Sequence, residues 1–307
     1  MIPKKLYRQW LNIDISNKCT LQCSECVRTL FKKHGIPLPG KDLNLQQFDK
    51  ITDFFAGKRI GFCGTFSDPI YNKSFIEMLK MCKEKNIEVC VHTAASHQPI
   101  EWYEKAFESN LEAIWQFGID GLPESSHLYR KNQDGKKLFE VMLKAKNKGL
   151  PVSWQFIEFD YNANEIEEAK LLATYYKIDF LLIHSNRNLH ATKLEKKTHD
   201  FLPKCVYAEK RDLAYSVTGH ITPCCWTNAS WDQPYLKEIF AEENHIDNFH
   251  RIEDVFQTNA WKDFFEMLKN HPDDAPSICK LKCSIPLDID PEQSEEWFFY
   301  SHDNYHD

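Results

Sequence analysis

The stretch WLNIDISNKCTLQCSEC, residues 10–26, is a short apolar run that opens directly into three closely spaced cysteines. WLNIDIS (10–16) predicts a strand, and Cys19-x-x-x-Cys23-x-x-Cys26 puts three thiols in the loop that leaves it. Thiolates are the usual ligands of iron–sulfur clusters, and a cubane normally takes four. Three from one loop leave one iron with an open position, as a catalytic metal requires. A zinc ion is the other reading. Zinc sites usually draw on C-x-x-C pairs in twos, and this triplet has no adjacent fourth Cys or His, His34 being the nearest candidate.

Outward from this loop, short apolar runs alternate with helical patterns. After the first strand, RIGFCGT (59–65), IEVCVHTAA (87–95), LEAIWQFGID (111–120), PVSWQFIEF (151–159) and IDFLLIHS (178–185) read as strands. Between them, 45–56, 74–86, 100–110, 136–149 and 164–177 carry apolar residues at helical spacing. Six strands alternating with helices imply parallel pairing with right-handed crossovers. The strands read as apolar nearly throughout, which predicts cover on both faces. A doubly wound sheet is the competing topology. A six-stranded open barrel, a partial (β/α)6 TIM-like fold, fits better, because Asn17, Asp68, Asp120 and His184 fall at strand C-terminal ends, where barrel sites gather. Past Arg187 the chain changes character: a polar connector, a hairpin joined at Thr218-Gly219, a helix over 259–271 and the pair Cys279 and Cys283. The predicted units are residues 1–187 and 188–307.

The 307 residues, 42% of them hydrophobic, can bury a substantial core. A formal net charge of -7 makes a nucleic-acid partner an unfavoured reading. No run approaches the roughly 18 apolar residues of a membrane span, and the start lacks signal-peptide features, so a cytoplasmic location is expected. There, the 11 cysteines predict metal binding or catalysis rather than disulfides.

The C-x-x-x-C-x-x-C loop after the first strand resembles the signature of the radical S-adenosylmethionine (SAM) superfamily. The resemblance implies a 4Fe-4S cluster on Cys19, Cys23 and Cys26, with SAM on the open iron. Glu25 stands where that family usually has an aromatic residue. GFCGTFSDP (61–69) resembles a variant of the family's Gly-Gly-Glu-Pro turn, which implies SAM contacts from Gly64, Asp68 and Pro69; an ordinary Asp-Pro turn is the alternative. FGIDG (117–121) and the following segment resemble the family's Ser-x-Asp-Gly stretch, with Gly118 in place of Ser, Asp120 retained, and Arg130 matching an arginine that meets the SAM carboxylate. Gln155, and less specifically Asn162 and Asn164, lie where relatives contact SAM; for the asparagines, turn chemistry is the alternative.

Cys205, Gly219, Cys224, Cys279 and Cys283 are similar to the twitch form of the SPASM extension, which implies an auxiliary 4Fe-4S cluster on the four cysteines. The final pair is C-x-x-x-C rather than C-x-x-C, Cys225 competes with Cys224 as ligand, and a structural zinc is the alternative. Cys63, Cys82 and Cys90 read as structural, and Trp115, Trp154 and Phe156 as core. His184, Ser185, Asn186, Arg187, His92 and Thr93 are candidate substrate contacts at the strand ends. The resemblance implies reductive cleavage of SAM, hydrogen abstraction from a substrate, and an electron donor such as flavodoxin or ferredoxin. A peptide or protein side chain is the expected substrate, and a small-molecule dehydrogenase the alternative. So few residues precede Cys19 that a leader-peptide-binding domain is expected to come from a separate partner. A zinc-stabilised interaction module or an iron–sulfur redox carrier are the readings without catalysis.

Overall fold

The computed structural model describes residues 10–184, 201–203 and 213–286. Six strands pair in parallel and in chain order: β1 (Trp10–Ile13), β2 (Arg59–Phe62), β3 (Glu88–Thr93), β4 (Ile114–Gly118), β5 (Val152–Glu158) and β6 (Asp179–His184). The order runs from β6 to β1 without a reversal. A doubly wound sheet would reverse at its switch point, so that alternative falls. Two further strands, β8 (Leu213–Ser216) and β9 (His220–Thr222), form the hairpin read from the sequence, with Gly219 at φ +91 in its turn. β8 continues the sheet beyond β1, in parallel register with Leu11 opposite Leu213 and Ile13 opposite Tyr215. A separate antiparallel pair joins β7 (Phe201–Pro203) to β10 (Ser284–Pro286).

The expectation that the strands are apolar nearly throughout is corrected, because one face of the sheet is polar. Side chains alternate along a strand. Leu11, Ile13, Ile60, Phe62, Val89, Val91, Trp115, Phe117, Trp154 and Phe156 are fully buried on one face. They pack against the helices α2 (Leu45–Phe54), α3 (Phe75–Glu84), α4 (Ile100–Ser109), α5 (Gly135–Asn147) and α6 (Ile166–Tyr175) in a single core. Each such Phe contributes about 1.5–3 kcal/mol by burial. Asn12, Asp14, Cys63, His92, Gln116, Ser153 and Gln155 alternate with them and form a polar inner face.

Local sequence fixes the helix starts. Asn44 and Gln47 make a reciprocal capping box at α2, with Gln47 N donating to Asn44 Oδ1 at 2.9 Å and Asn44 N to Gln47 Oε1 at 3.3 Å. Asp134 caps α5 by accepting from Lys137 N at 3.0 Å. No helix among the described residues is long and apolar enough to cross a membrane.

Gly40 shows where backbone freedom is required. It sits at φ +69, and an added Cβ would lie 2.0 Å from Val217 O on the hairpin tip. Gly35 has nearly the same backbone, at φ +66, with open space around it. In urea unfolding we therefore expect Gly35→Ala to cost about 1 kcal/mol, the left-handed strain alone. Gly40→Ala should cost upwards of about 3 kcal/mol, because steric overlap adds to the same strain. Equal losses in the two variants would show that the hairpin tip does not close on this loop.

Candidate active site

The three cysteines lie at the C-terminal end of β1, and the loop is held from two sides. From the β2 side, Asp68 N donates to Lys18 O at 3.1 Å, and Tyr71 Oη accepts from Thr20 N at 2.9 Å. From the segment after β4, Gln22 N donates to Lys131 O at 3.1 Å and Asn132 Nδ2 to Thr20 O at 3.0 Å. Arg28, on the helix α1 (Val27–Lys33) that follows Cys26, donates from Nη1 to Asn17 O and, at 3.0 Å, to Phe66 O. Cys23 is buried, and Cys19 and Cys26 are half-buried. Burial, and then Asp68, push the Cys19 thiol up to about 12. Burial also raises Cys23, with Arg130 opposing. A bound metal's charge would favour the thiolate form of such thiols.

The three thiols share one loop at the end of β1, a donor set of the chemistry by which a cubane takes each thiolate on a different iron.

The turn after β2 is organised by two buried carboxylates. Asp14, at the end of β1, accepts from Thr65 N at 2.8 Å, Phe66 N at 3.1 Å and Ser67 Oγ at 2.7 Å. Burial nevertheless lifts its pKa to about 6 against those hydrogen bonds. Asp68 accepts from Thr93 Oγ1 at 2.9 Å, Ala94 N at 2.8 Å, Ala95 N at 3.0 Å and Ile70 N at 3.3 Å. A carboxylate has about four acceptor positions, so protein donors fill those of Asp68. Gly64 makes the tight turn possible, since a Cβ there would lie 2.4 Å from both Ser67 O and Ser67 Oγ. Pro69 is buried and opens the 3-10 turn Pro69–Tyr71.

On the far side of the loop, Asp120 and Arg130 form a buried ion pair, Oδ2 to Nε at 2.7 Å. Burial alone would lower Arg130, but Asp120 and Cys23 override it and raise the guanidinium above its ordinary value. Asp120 Oδ1 accepts from Ile157 N at 2.9 Å. No described residue hydrogen-bonds the two terminal nitrogens of Arg130. Gly118 gives the guanidinium room: a Cβ at 118 would lie 2.9 Å from Arg130 Nη2. Gln133 Nε2 ties the ends of β3 and β4 by donating to Ala94 O at 2.6 Å and Gly118 O at 2.9 Å. Gln155 is on the inner face and accepts from Gln116 Nε2. Asn162 spans its own turn, accepting from Phe159 N at 2.7 Å and donating to Ile157 O at 3.0 Å. His92 is half-buried, and desolvation lowers its pKa to about 4, so it is neutral at physiological pH. Thr93 is committed to Asp68. Trp115, Trp154 and Phe156 are core, as read from the sequence.

Ser185, Asn186, Arg187 and Cys205 lie outside the described residues. Cys224, buried, precedes the 3-10 stretch Cys225–Ala229, against which the helix Ser277–Cys283 packs. That helix carries Cys279 and Cys283 and also packs against β7, which ends two residues before Cys205. Sequence reasoning missed Asp14, Tyr71 and Gln133. Only Asp14 left a signal, as a charged residue inside an otherwise apolar strand.

No protein-family model and no curated protein matches the sequence. Solved structures do match. Streptococcus suis SuiB bound to S-adenosylmethionine is similar at TM-score 0.54 and 13% identity, over 90% of this chain and 79% of that one. Another SuiB structure is matched over 66% of its length. SuiB bound to precursor peptide SuiA gives TM-score 0.52 at 13% identity, over 89% of this chain and 76% of that one. Native anSMEcpe with bound AdoMet and Kp18Cys peptide gives TM-score 0.56 at 13% identity, over 85% of this chain and 83% of that one. Two of these structures hold bound S-adenosylmethionine and two a bound peptide. At such identities the likeness establishes the fold.

Asp14 gives a pH test. It holds its proton up to about 6 in the fold but only to its ordinary value of 3.8 when unfolded. The folded state therefore binds the proton more tightly between those values. Its contribution to stability is complete below the lower one and is lost as the pH rises towards the upper one. The stability of the wild type relative to Asp14→Asn should fall by roughly 2–3 kcal/mol from pH 4 to pH 6 and stay flat above pH 7. Urea unfolding across that range measures it, and a flat difference throughout would contradict the assignment.

Proposed function

We propose that the chain is a radical SAM enzyme: a partial (β/α)6 barrel that binds a 4Fe-4S cluster through Cys19, Cys23 and Cys26 and abstracts hydrogen from a substrate. The observation that carries this reading is the stitching of the cysteine loop to the Asp68 turn on one side and the Arg130 segment on the other. Three pieces far apart in sequence thereby surround one point at the strand ends. Cys19, Cys23 and Cys26 would hold the cluster, which would supply the electron for reductive cleavage of SAM.

The chain's own residues do the rest. Arg130 presents terminal nitrogens suited to the SAM carboxylate, and Asp120 fixes the fork. Asp68 holds the turn through its hydrogen bonds, so that Gly64 and Pro69 would offer backbone to the SAM ammonium. Gln155 and Gln116 line the inner face below. A peptide or protein side chain is the substrate class we favour, because two neighbours of this fold carry a bound peptide. Residues 1–187 would hold SAM and residues 188–307 an auxiliary 4Fe-4S cluster on Cys205, Cys224, Cys279 and Cys283, in the manner of a twitch extension. The packing of the Ser277–Cys283 helix on both β7 and the stretch after Cys224 supports that set. With four thiolates the auxiliary cluster would be fully ligated, which suits accepting an electron from the substrate radical, while a flavodoxin or ferredoxin would serve as electron donor to the first cluster.

The test is anaerobic reconstitution, reduction in the presence of SAM, and measurement of 5′-deoxyadenosine. Cys23→Ala should abolish it, with a loss of 100-fold or more. Absence of 5′-deoxyadenosine from fully loaded wild type would sink the proposal. Separately, Cys224→Ala should lower the iron content by about four atoms per chain while Cys225→Ala leaves it unchanged. The reverse pattern would move the ligand to Cys225.

A further inference from the structure

Trp231 belongs to the extension, seven residues past Cys224, and its ring touches two supports of the first cysteine loop. It meets Phe31 with centroids 5.5 Å apart and rings at 79°, and Phe66 at 5.9 Å. Phe31 and Phe66 meet each other at 5.4 Å and 63°. Separations of about 4.5–7 Å with tilted or edge-on rings are favourable for aromatic pairs, so three segments close into one triangle. Phe31 lies on α1, the helix that begins beside Cys26. Phe66 lies in the turn that Asp14 gathers, two residues before Asp68. On its other side Trp231 reaches Phe240 at 6.4 Å, and Phe240 packs on a small core of Leu236, Ile239, Phe264 and Met267.

Among the described residues, the three rings belong neither to the main core nor to that small one. Phe66 is nonetheless 1% exposed, so the triangle supplies part of its cover. α1 is seven residues long and buries none of them. A helix that short is not stable without tertiary contacts. Polar bonds run along the same joint. Arg28 Nη1, on α1, donates to Phe66 O at 3.0 Å. Asn228 Nδ2, in the extension, donates to Thr65 Oγ1 at 3.4 Å. Thr222 Oγ1 donates to Asn228 Oδ1 at 2.8 Å, which fixes the amide with its nitrogen towards Thr65. The turn is therefore gripped by Asp14 from β1 and by Asn228 and Trp231 from the extension.

We propose that Trp231 is a positioning residue for SAM binding: its ring fixes the Cys26 helix against the Phe66 turn, and so fixes the cysteine loop relative to the backbone at Gly64 and Pro69. The inference rests on the SAM reading above and adds to it a residue of the extension that acts through Phe31 and Phe66. Without the indole, the helix and the turn lose their common neighbour, and the two sides of the SAM site no longer keep one spacing. Phenylalanine keeps an aromatic face in that place, whereas leucine removes the face on which both rings pack.

The test uses the full-length chain and two readouts besides activity. The first is the SAM affinity of the reconstituted, unreduced protein, by equilibrium dialysis at matched iron content. The second is the rate at which N-ethylmaleimide alkylates Cys26 in the metal-free chain, followed by mass spectrometry. Trp231→Leu should weaken SAM binding about fivefold or more, within the usual span of coupling between sites. It should speed Cys26 alkylation about threefold or more, by lowering the cost of local opening at the helix. Trp231→Phe should stay within about twofold of wild type in both. Phe265→Leu, which trims a ring of the same extension outside the triangle, should leave both readouts unchanged. If Trp231→Leu fails to fold, Phe31→Leu takes its place. Either readout unchanged in Trp231→Leu, a loss in Trp231→Phe as large as in Trp231→Leu, or an equal effect from Phe265→Leu overturns the proposal. If wild type binds no SAM, the SAM reading fails and the Cys26 rate alone decides this one.

Discussion

The site depends on a carboxylate taken out of water. Asp14 sits at 0% exposure at the end of β1 and gathers two backbone amides and one hydroxyl from the turn after β2. Burying a charge is unfavourable unless hydrogen bonds replace its hydration. Three donors do part of that, and the raised pKa measures what they leave undone. The same construction recurs one turn later at Asp68, which joins the β2 exit to the β3 exit. Two short acids therefore decide where the cysteine loop can rest, because Asp68 N itself holds Lys18 O. The rigidity this gives is local and electrostatic, and it is placed where a ligand would have to be gripped.

The sheet's layered character follows from its polar face. Helices cover one side with Phe, Trp, Ile and Val. The other side carries Asn12, Asp14, His92, Gln116 and Gln155, groups that need hydrogen-bonding partners. A face of that kind cannot simply be packed against more helices. It is where a cofactor or substrate would find donors and acceptors, and His92, neutral through burial, adds no charge to it.

Most of the strands and long helices were legible because their period is strong. RIGF, VSWQFIE and NAWKDFFEMLKN were found within a few residues of their observed bounds. What was misread was the alternation. Asn12, Cys63 and Cys90 passed as part of apolar runs, because small or neutral side chains score close to apolar ones; in the sheet they are one face. Helix α1 was missed because Val27–Lys33 is only seven residues long, too short for Val27, Leu30 and Phe31 to establish a period. The hairpin was found from its glycine turn, but not its partner: parallel addition to β1 joins residues some two hundred positions apart, and nothing local encodes that. Of the site, the cysteines, Gly64, Asp120 and Arg130 could be read by motif. Tyr71 and Gln133 could not, since each acts by reaching across to a backbone group of another segment.

Gly118 shows how a departure from a motif can be structural. Where a serine is usual in the family this chain resembles, the space for its Cβ is taken by Arg130 Nη2. Arg130 cannot withdraw, because Asp120 pins its Nε at 2.7 Å and both groups are buried. Separating a buried ion pair leaves an uncompensated charge, typically worth about 3–5 kcal/mol. A serine hydroxyl could return only the net value of one hydrogen bond, about 1 kcal/mol. With the guanidinium laid against the strand end, glycine is the residue that leaves Arg130 Nη2 where Asp120 holds it, and a larger side chain at 118 would have to push that nitrogen aside.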